Sequence, residues 1–138
     1  MERVATFNRR YVMEKTGYHP NEGQTDRPCL YVFSPTPRNR TYQIQMDVID
    51  GNRRVFRDYG VDVAEIFEDC QGHIGSEKLP PEGCNGLRRR FHVPQGRFCV
   101  MLVDRDSRIK LIADSCVSYE EVIMRVENKP QTHQKPTD

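Results

Sequence analysis

The sequence lacks any apolar run long enough to cross a membrane. A spanning helix needs about 20 predominantly apolar residues, whereas this chain of 138 residues has a mean hydropathy of -0.76 and 36% hydrophobic residues. The first residues, MERVATFNRR, also lack the apolar core of a signal peptide. We therefore expect no membrane span. The chain is cytoplasmic if it is full-length as given, and extracellular or periplasmic if it is a mature fragment.

The sequence also lacks an excess of charge of one sign. It has 21 Lys and Arg against 20 Asp and Glu, for a formal net charge of +1. This balance provides no attraction of the whole molecule to nucleic acid or to an acidic membrane. Most of the cationic residues are arginines, whose planar groups suit carboxylates and phosphates. Local ion pairs or an anionic ligand are therefore expected.

Closely spaced cysteines are missing. The five cysteines form no C-x-x-C and no spacing typical of zinc ligands, so we expect no metal, no cofactor and no standard dithiol. Cys70 and Cys84 flank a Gly/Pro-rich segment, and they can form a disulfide in an oxidising compartment. The odd number leaves at least one thiol free or bonded to another chain.

The apolar residues that are present fall into segments of alternating type. Strands are predicted at 29–35, at 61–67 and in the two apolar runs of CVMLVDRDSRIKLIAD, residues 99–114. Helices are predicted at 39–60, 84–93 and 118–128, with a loop at 68–83. The first helix has a predicted buried stripe of Ile44, Val48, Val55 and Tyr59 and a break around Gly51.

The order of these segments is β-α-β-α-β-β-α. A strand–helix–strand unit favours parallel pairing, and the tight turn at 105–107 makes the last two strands antiparallel. The predicted fold class is therefore α/β and thioredoxin-like, with a mixed central sheet and helices on both faces. We assign residues 28–127 to this domain, 1–27 to an N-terminal appendage with a short helix, and 128–138 to a disordered tail.

Four strings carry a resemblance to a known family. They are RPCLYVFSPTPRNRTYQIQMDVI, YGVDVAEIF, IGSEKLPP and FHVPQGRFCVMLVDRDSRIKL, and together they cover roughly residues 27–127. They resemble the P-DUDES domain of unknown function, which occurs in sushi-repeat-containing extracellular proteins, in a coiled-coil-domain-containing matrix protein and in small bacterial proteins. The resemblance implies a thioredoxin-like fold and, for the animal members, secretion and association with the matrix or cell surface.

Two features of redox-active thioredoxin-like proteins are absent. Their dithiol follows the first strand, where this chain has Ser34-Pro35-Thr36-Pro37. Their cis-proline precedes the third core strand, where this chain has Phe98. Both differences argue against ordinary thiol–disulfide exchange and, although they leave an enzyme open, favour a protein without catalytic activity.

The candidate reactive thiols are Cys99 and Cys70. Cys99 begins a strand next to the strand of Cys29, and the neighbouring Arg97 would favour its thiolate form. The alternative is that Cys99 and Cys29 are buried structural thiols or a cross-strand disulfide.

Two further candidates lie at the start of the first helix. Hydroxyls and guanidinium groups there can bind an anion at the helix N-terminus, or can simply cap the helix; the residues are Ser34, Thr36, Arg38 and Arg40. Asn39-Arg40-Thr41 also matches the N-x-[ST] acceptor pattern for glycosylation.

The densest basic cluster is Arg88, Arg89 and Arg90. We expect it to form a solvated helix face that contacts protein partners, because specific nucleic-acid binding requires a continuous basic face with stacking aromatics.

Three functional hypotheses follow. The first is a non-catalytic interaction or assembly module, able to oligomerise, of an extracellular or matrix-associated protein. The second is a peroxidase or thiol transferase that uses a single cysteine, Cys99 or Cys70. The third, with weaker support, is an anion or nucleic-acid binder that acts through Arg88, Arg89 and Arg90.

Overall fold

The computed structural model describes residues 27–127, which form a six-stranded mixed sheet with helices on both faces. The appendage helix and the disordered tail from 128 onward are predictions that lie outside the described residues. The strands are β1 (Cys29–Phe33), β2 (Asp62–Ile66), β3 (Gly72–Ile74), β4 (Glu77–Leu79), β5 (Cys99–Val103) and β6 (Ile109–Ala113). Their order across the sheet is β4-β3-β2-β1-β5-β6.

The central strand is β1, whose five residues are all buried. It pairs in parallel with β2 and antiparallel with β5. A strand covered on both faces has no polar side, which is why CLYVF is a continuous apolar run rather than an alternating one. The antiparallel pairing of β5 with β6 completes the core of the sheet. The predicted mixed sheet is confirmed.

Four helices cover the two faces of the sheet. They are α1 (Arg40–Asp50), α2 (Arg53–Asp58), α3 (Pro81–Arg90) and α4 (Tyr119–Glu127). One core contains Leu30 and Val32 of β1 and packs against residues of α1, α2 and α4. The opposite core contains Tyr31 and Phe33 and packs against α3. This alternation along β1 places three helices on one face and one on the other, as the predicted fold class requires.

The predicted loop at 68–83 is wrong, because the chain forms the β3–β4 hairpin there. Its glycines suggested a loop, but Gly72 belongs to a strand. A Cβ at Gly72 would lie 2.2 Å from the Glu65 carbonyl oxygen and 2.9 Å from the Cys84 sulfur. Glycine is needed at this point for the close approach of β3 to β2. The following helix begins earlier than predicted, at Pro81, since proline is well suited to the first helical position.

The predicted buried stripe of the first helix is also wrong. The segment is two helices separated at Gly51, and Ile44 and Tyr59 are 46% and 41% exposed. The buried residues of α1 are instead Gln45, Met46 and Ile49. The polar Gln45 is buried because its amide donates to the Val117 carbonyl at 3.0 Å and accepts from the Val117 N–H at 2.8 Å. These two bonds attach α1 to the segment that precedes α4.

We predict that Gln45→Ala lowers the free energy of unfolding by about 1–3 kcal/mol, because both backbone groups of Val117 lose their partner in a buried place. Urea denaturation followed by circular dichroism measures the change. Gln43→Ala is the matched control, since Gln43 is exposed on the same helix. Equal losses from the two variants would contradict the structural role of Gln45.

Candidate functional site

The carboxyl ends of β1 and β2 and the start of β5 lie together at one end of the sheet, which we call its carboxyl end. Cys99 is paired with Phe33 at this end of the sheet, while Ser34 and Glu68 follow the ends of β1 and β2. Open α/β folds bind their ligands outside the carboxyl ends of parallel strands. The residues that lie here therefore form the candidate site.

Arg88 of α3 is hydrogen-bonded to several of the chain segments at the carboxyl end of the sheet. Its Nη2 donates to Glu68 Oε2 at 3.0 Å and to the Pro94 carbonyl at 2.8 Å, and its Nη1 donates to the Ser34 carbonyl at 3.5 Å. The same Glu68 oxygen accepts from the Gly96 N–H at 2.7 Å. We refer to Ser34, Glu68, Arg88, Pro94 and Gly96 as the Arg88 cluster. It connects the ends of β1 and β2 with α3 and with the loop before β5.

Arg88 is 4% exposed and Ser34 is also buried, whereas Glu68 is half-buried and Pro94 and Gly96 are exposed. Burial lowers the pKa of the Arg88 guanidinium, and the adjacent Glu68 carboxylate acts in the opposite direction. Arginine nevertheless stays charged in proteins. A buried charge of this kind is tolerated only when it is paired and hydrogen-bonded, and Glu68 and the two closest carbonyls supply those partners.

The predicted exposed arginine face is therefore wrong for Arg88. Arg89 is exposed, whereas Arg90 is half-buried with its guanidinium 5.4 Å from the centre of the Phe91 ring. The reason is the helical period: Cys84, Leu87 and Arg88 lie on the face of α3 that is buried against the sheet. Arg88 is therefore not exposed to contact an anion or a nucleic acid, as the hypothesis of a binder that uses all three arginines requires.

An open cavity of about 710 Å³ lies beside the Arg88 cluster. It is lined on the β2 side by Glu68 and Asp69, and on the α3 side by Asn85, Arg88, Arg89, His92, Val93, Pro94 and Gln95. Asp69 and His92 both have left-handed backbone, with φ of 57° and 59°. His92 lies just past the end of α3, and its N–H donates to the Arg89 carbonyl. The cavity therefore has carboxylates along one side and basic side chains along the other.

Cys99 is half-buried next to this cluster. Burial raises the pKa of the Cys99 thiol to about 11, with a further increase from Asp114 and an opposing effect of Arg88. The expectation that Arg97 favours the thiolate is wrong, because the charge that does so is Arg88 and burial outweighs it. The expected proximity of Cys29 is also wrong. Antiparallel pairing places Cys29 opposite Val103, at the other end of β5.

The remaining thiols are free in the structure. Burial raises the pKa of Cys29 and of Cys84, and the latter is raised further by the nearby Cys70. Cys116 is exposed and contacts the Thr41 carbonyl at 3.4 Å. The sulfurs of Cys70 and Cys84 are unbonded, and the disulfide between them stays a prediction.

The turn after β1 separates the residues of the predicted anion site. Ser34 is buried and donates its hydroxyl to the Thr36 carbonyl at 2.8 Å, whereas Arg38 and Arg40 are exposed. The Thr36 hydroxyl accepts from the Arg38 N–H. Asn39 caps α1 by accepting from the Tyr42 N–H at 2.9 Å. This geometry favours helix capping. Anion binding here and glycosylation of Asn39 stay predictions.

Phe98, at the position before β5, is packed in the core that also contains Val100 and Leu102. Within residues 27–127, no group of three or more His, Cys, Asp or Glu side chains is arranged to hold a metal ion. In the same part of the chain, no helix is both long and apolar enough to cross a membrane.

Sequence reasoning missed the acidic and backbone members of the Arg88 cluster. Glu68 is 20 positions from Arg88 in the chain, and neither its spacing nor its neighbours distinguish it from other acidic residues. Pro94 and Gly96 contribute only backbone groups, which no side-chain pattern can reveal. The one available signal was the preference for arginine over lysine, which predicted ion pairs without locating them.

Comparison with known proteins identifies a family for this chain and solved structures of similar fold. The model of a family described as "Domain of unknown function (DUF4174)" matches residues 22–134. No curated protein matches the sequence significantly. Among solved structures, Plasmodium yoelii thioredoxin peroxidase I is 15% identical with a TM-score of 0.57, covering 80% of this chain and 82% of its own.

A reduced 2-Cys peroxiredoxin from Plasmodium vivax is 11% identical with a TM-score of 0.56 and covers 75% of this chain, which spans 65% of that protein. A Plasmodium yoelii Prx1a is 14% identical with a TM-score of 0.55, covering 80% of this chain and 83% of its own. The structural similarity establishes a thioredoxin-like fold. At identities this low it shows nothing about activity.

We predict that Arg88→Met lowers the free energy of unfolding by about 3 kcal/mol, because it leaves the Glu68 carboxylate without its buried partner. Arg89→Met is the matched control and should change stability by less than about 0.5 kcal/mol, since exposed side chains contribute little. Chemical denaturation of both variants provides the comparison. A double variant, Arg88→Met with Glu68→Gln, should recover part of the loss, and no recovery would contradict the pairing.

We predict that Cys99 reacts slowly with iodoacetamide at neutral pH and faster as the pH rises towards 11, because only the thiolate is nucleophilic. Since the pKa of Cys99 in the folded chain exceeds its ordinary value of 9.0, this thiol contributes stability below pH 9 that is lost as the pH rises through 11. Peptide mass mapping after alkylation measures the reaction, with the urea-unfolded chain as the reference. Modification of Cys99 at pH 7 as fast as in urea would contradict the prediction.

Proposed function

Because the chain belongs to the DUF4174 family, whose activity its description leaves open, we propose a function from the geometry of the site: it is a non-catalytic, thioredoxin-like module that binds a protein partner. The observation that carries the proposal is the buried Arg88–Glu68 ion pair. The ion pair lies at the carboxyl end of the sheet, where this fold would need a reacting group. Its hydrogen bonds hold the surrounding backbone.

The state of Cys99 supports the absence of catalysis. The thiol is the cysteine beside the Arg88 cluster, and its pKa of about 11 leaves it protonated at neutral pH. A thiol in this state is a weak nucleophile and a poor metal ligand. The turn after β1 supports the same reading, since the hydroxyls of Ser34 and Thr36 bond to backbone groups of that turn.

The open cavity is the proposed surface for the partner. Its rim exposes Asp69, Arg89, His92 and Gln95, so that carboxylate, guanidinium, imidazole and amide groups face outward together. A surface of this mixed polarity suits a polypeptide segment with side chains of both charges. The apolar Val93 is buried at its base.

The setting of this module is part of the proposal. The resemblance of residues 27–127 to domains of sushi-repeat-containing extracellular proteins supports an extracellular or matrix-associated location. In an oxidising environment the neighbouring Cys70 and Cys84 would be available to form a disulfide. A cytoplasmic location is the alternative, and there both thiols would stay reduced.

A second candidate function is a peroxidase or thiol transferase centred on Cys99. The observation that favours it is the charge of Arg88, which lowers the pKa of this thiol against the effect of burial. In the peroxidase reaction, the Cys99 thiolate would attack one oxygen of the peroxide, forming a sulfenic acid and releasing hydroxide. One external thiol would then form a mixed disulfide with Cys99 and release water, and a second would free the Cys99 thiol and leave as an external disulfide. Cys70, which is half-buried, is the other candidate nucleophile.

We predict that the full chain accelerates neither insulin disulfide reduction nor thiol-dependent consumption of hydrogen peroxide above a buffer control. A photo-reactive residue placed at Arg89 or Gln95 should form a saturable adduct with a partner protein, suppressed by excess unlabelled chain. The same group at Arg57, which is exposed on α2 beyond the opposite face of the sheet, is the control and should form none.

The enzyme candidate has a distinct signature. Peroxide consumption that is abolished by Cys99→Ser and retained by Cys116→Ser would replace the binding module with a single-cysteine peroxidase. Adduct formation that is equal at Arg57 and at Arg89 would reject the cavity as the binding surface, without bearing on catalysis.

A further inference from the structure

The two edges of the sheet are built differently. The β4 edge has only three residues, of which Glu77 and Lys78 are exposed, and Pro80 and Pro81 follow it directly. Short length, charge and proline are the means by which natural sheets prevent an edge from pairing with another chain. The β4 edge is therefore protected.

The β6 edge is longer than the β4 edge, and its protections, Lys110 and a bulge, both lie at its beginning. Its five residues, IKLIA, include four apolar ones and no proline. The strand pairs with β5 on one side, and no other described strand pairs with it. A bulge occurs near its beginning, where Lys110 is left out of the pairing with β5 and its carbonyl accepts from Arg125 at 3.1 Å. Beyond that point, Leu111, Ile112 and Ala113 form a regular apolar edge.

The sequence around this edge is complementary to itself. If two copies align antiparallel about Ile112, then Ile112 lies opposite Ile112 and Leu111 lies opposite Ala113. Lys110 of each copy then lies opposite Asp114 of the other, and Asp114 is exposed. Opposite charges in directly facing positions stabilise a strand pair. Moving the centre of the pairing by two residues, from Ile112 to Lys110, would place Lys110 opposite itself, which like charges disfavour.

We propose that β6 is a homodimer interface, in which a second copy of this chain adds its own β6 antiparallel about Ile112. The contact is isologous, so every interaction occurs twice about a two-fold axis. The two sheets become one continuous sheet with six strands from each copy. The Lys110–Asp114 pairs set the register, and the apolar residues between them are covered.

The β6 interface lies apart from the cavity. Of the residues that line the cavity, none belongs to β6, so two copies of the binding surface would be presented by one dimer. The dimer proposal therefore does not depend on the proposed function. Failure of either leaves the other intact.

The test is the association state of the full chain, measured by sedimentation velocity over concentrations from about 1 to 500 µM. We expect a monomer–dimer equilibrium for the wild type. Lys110→Glu places a carboxylate opposite Asp114 at both ends of the interface and should raise the dissociation constant at least about tenfold. The double variant, Lys110→Glu with Asp114→Lys, exchanges the charges and should restore the wild-type constant.

Lys78→Glu is the matched control, because it makes the same change on the β4 edge and should leave association unchanged. Circular dichroism and thermal melting show whether each variant is folded. The proposal is overturned by a wild type that stays monomeric throughout, as it would be if residues 1–26 of the same chain covered β6. It is equally overturned if Lys110→Glu leaves the constant unchanged, or if the double variant fails to restore it.

Discussion

The structure depends on one buried charge and the groups that satisfy it. Arg88 donates to Glu68, to the Pro94 carbonyl and to the Ser34 carbonyl, and Glu68 in turn accepts from Gly96. An isolated guanidinium in this place would cost several kcal/mol, so the loop before β5 is constrained to supply its carbonyl. Through these bonds Arg88 connects the ends of β1 and β2 and the loop before β5 with α3.

The similarity of this chain to solved structures concerns its fold alone. The sheet, with its parallel β1–β2 pair and antiparallel β5–β6 pair, matches peroxiredoxin structures with TM-scores up to 0.57. Many α/β folds bind their ligands at the carboxyl end of the sheet. In this chain the Arg88–Glu68 ion pair lies there and is hydrogen-bonded to the backbone. A shared fold does not determine the chemistry of its site, and our proposal of a non-catalytic module rests on the residues of the Arg88 cluster.

The sequence was informative where burial imposes a period and uninformative where long-range contacts decide. CLYVF identified the first of the two parallel strands as a short buried apolar run, and VDVAEIF identified the second by its alternation of apolar and polar residues. The β3–β4 hairpin was missed because Gly72, which suggested a loop, is required by the backbone of β2. Gln45 and Arg88 are polar residues in buried positions, and each is there because of a partner 72 or 20 residues away. No local pattern records such a partner.

The central position of β1 has a consequence for the order in which the chain can fold. β1 is among the first described elements to be synthesised, yet one of its neighbours is β5, which begins at Cys99. Until β5 emerges, that side of β1 presents unpaired N–H and carbonyl groups on an entirely apolar strand, which is the kind of edge that recruits other chains. The last third of the sequence therefore completes the sheet and also ends the period in which its centre is exposed.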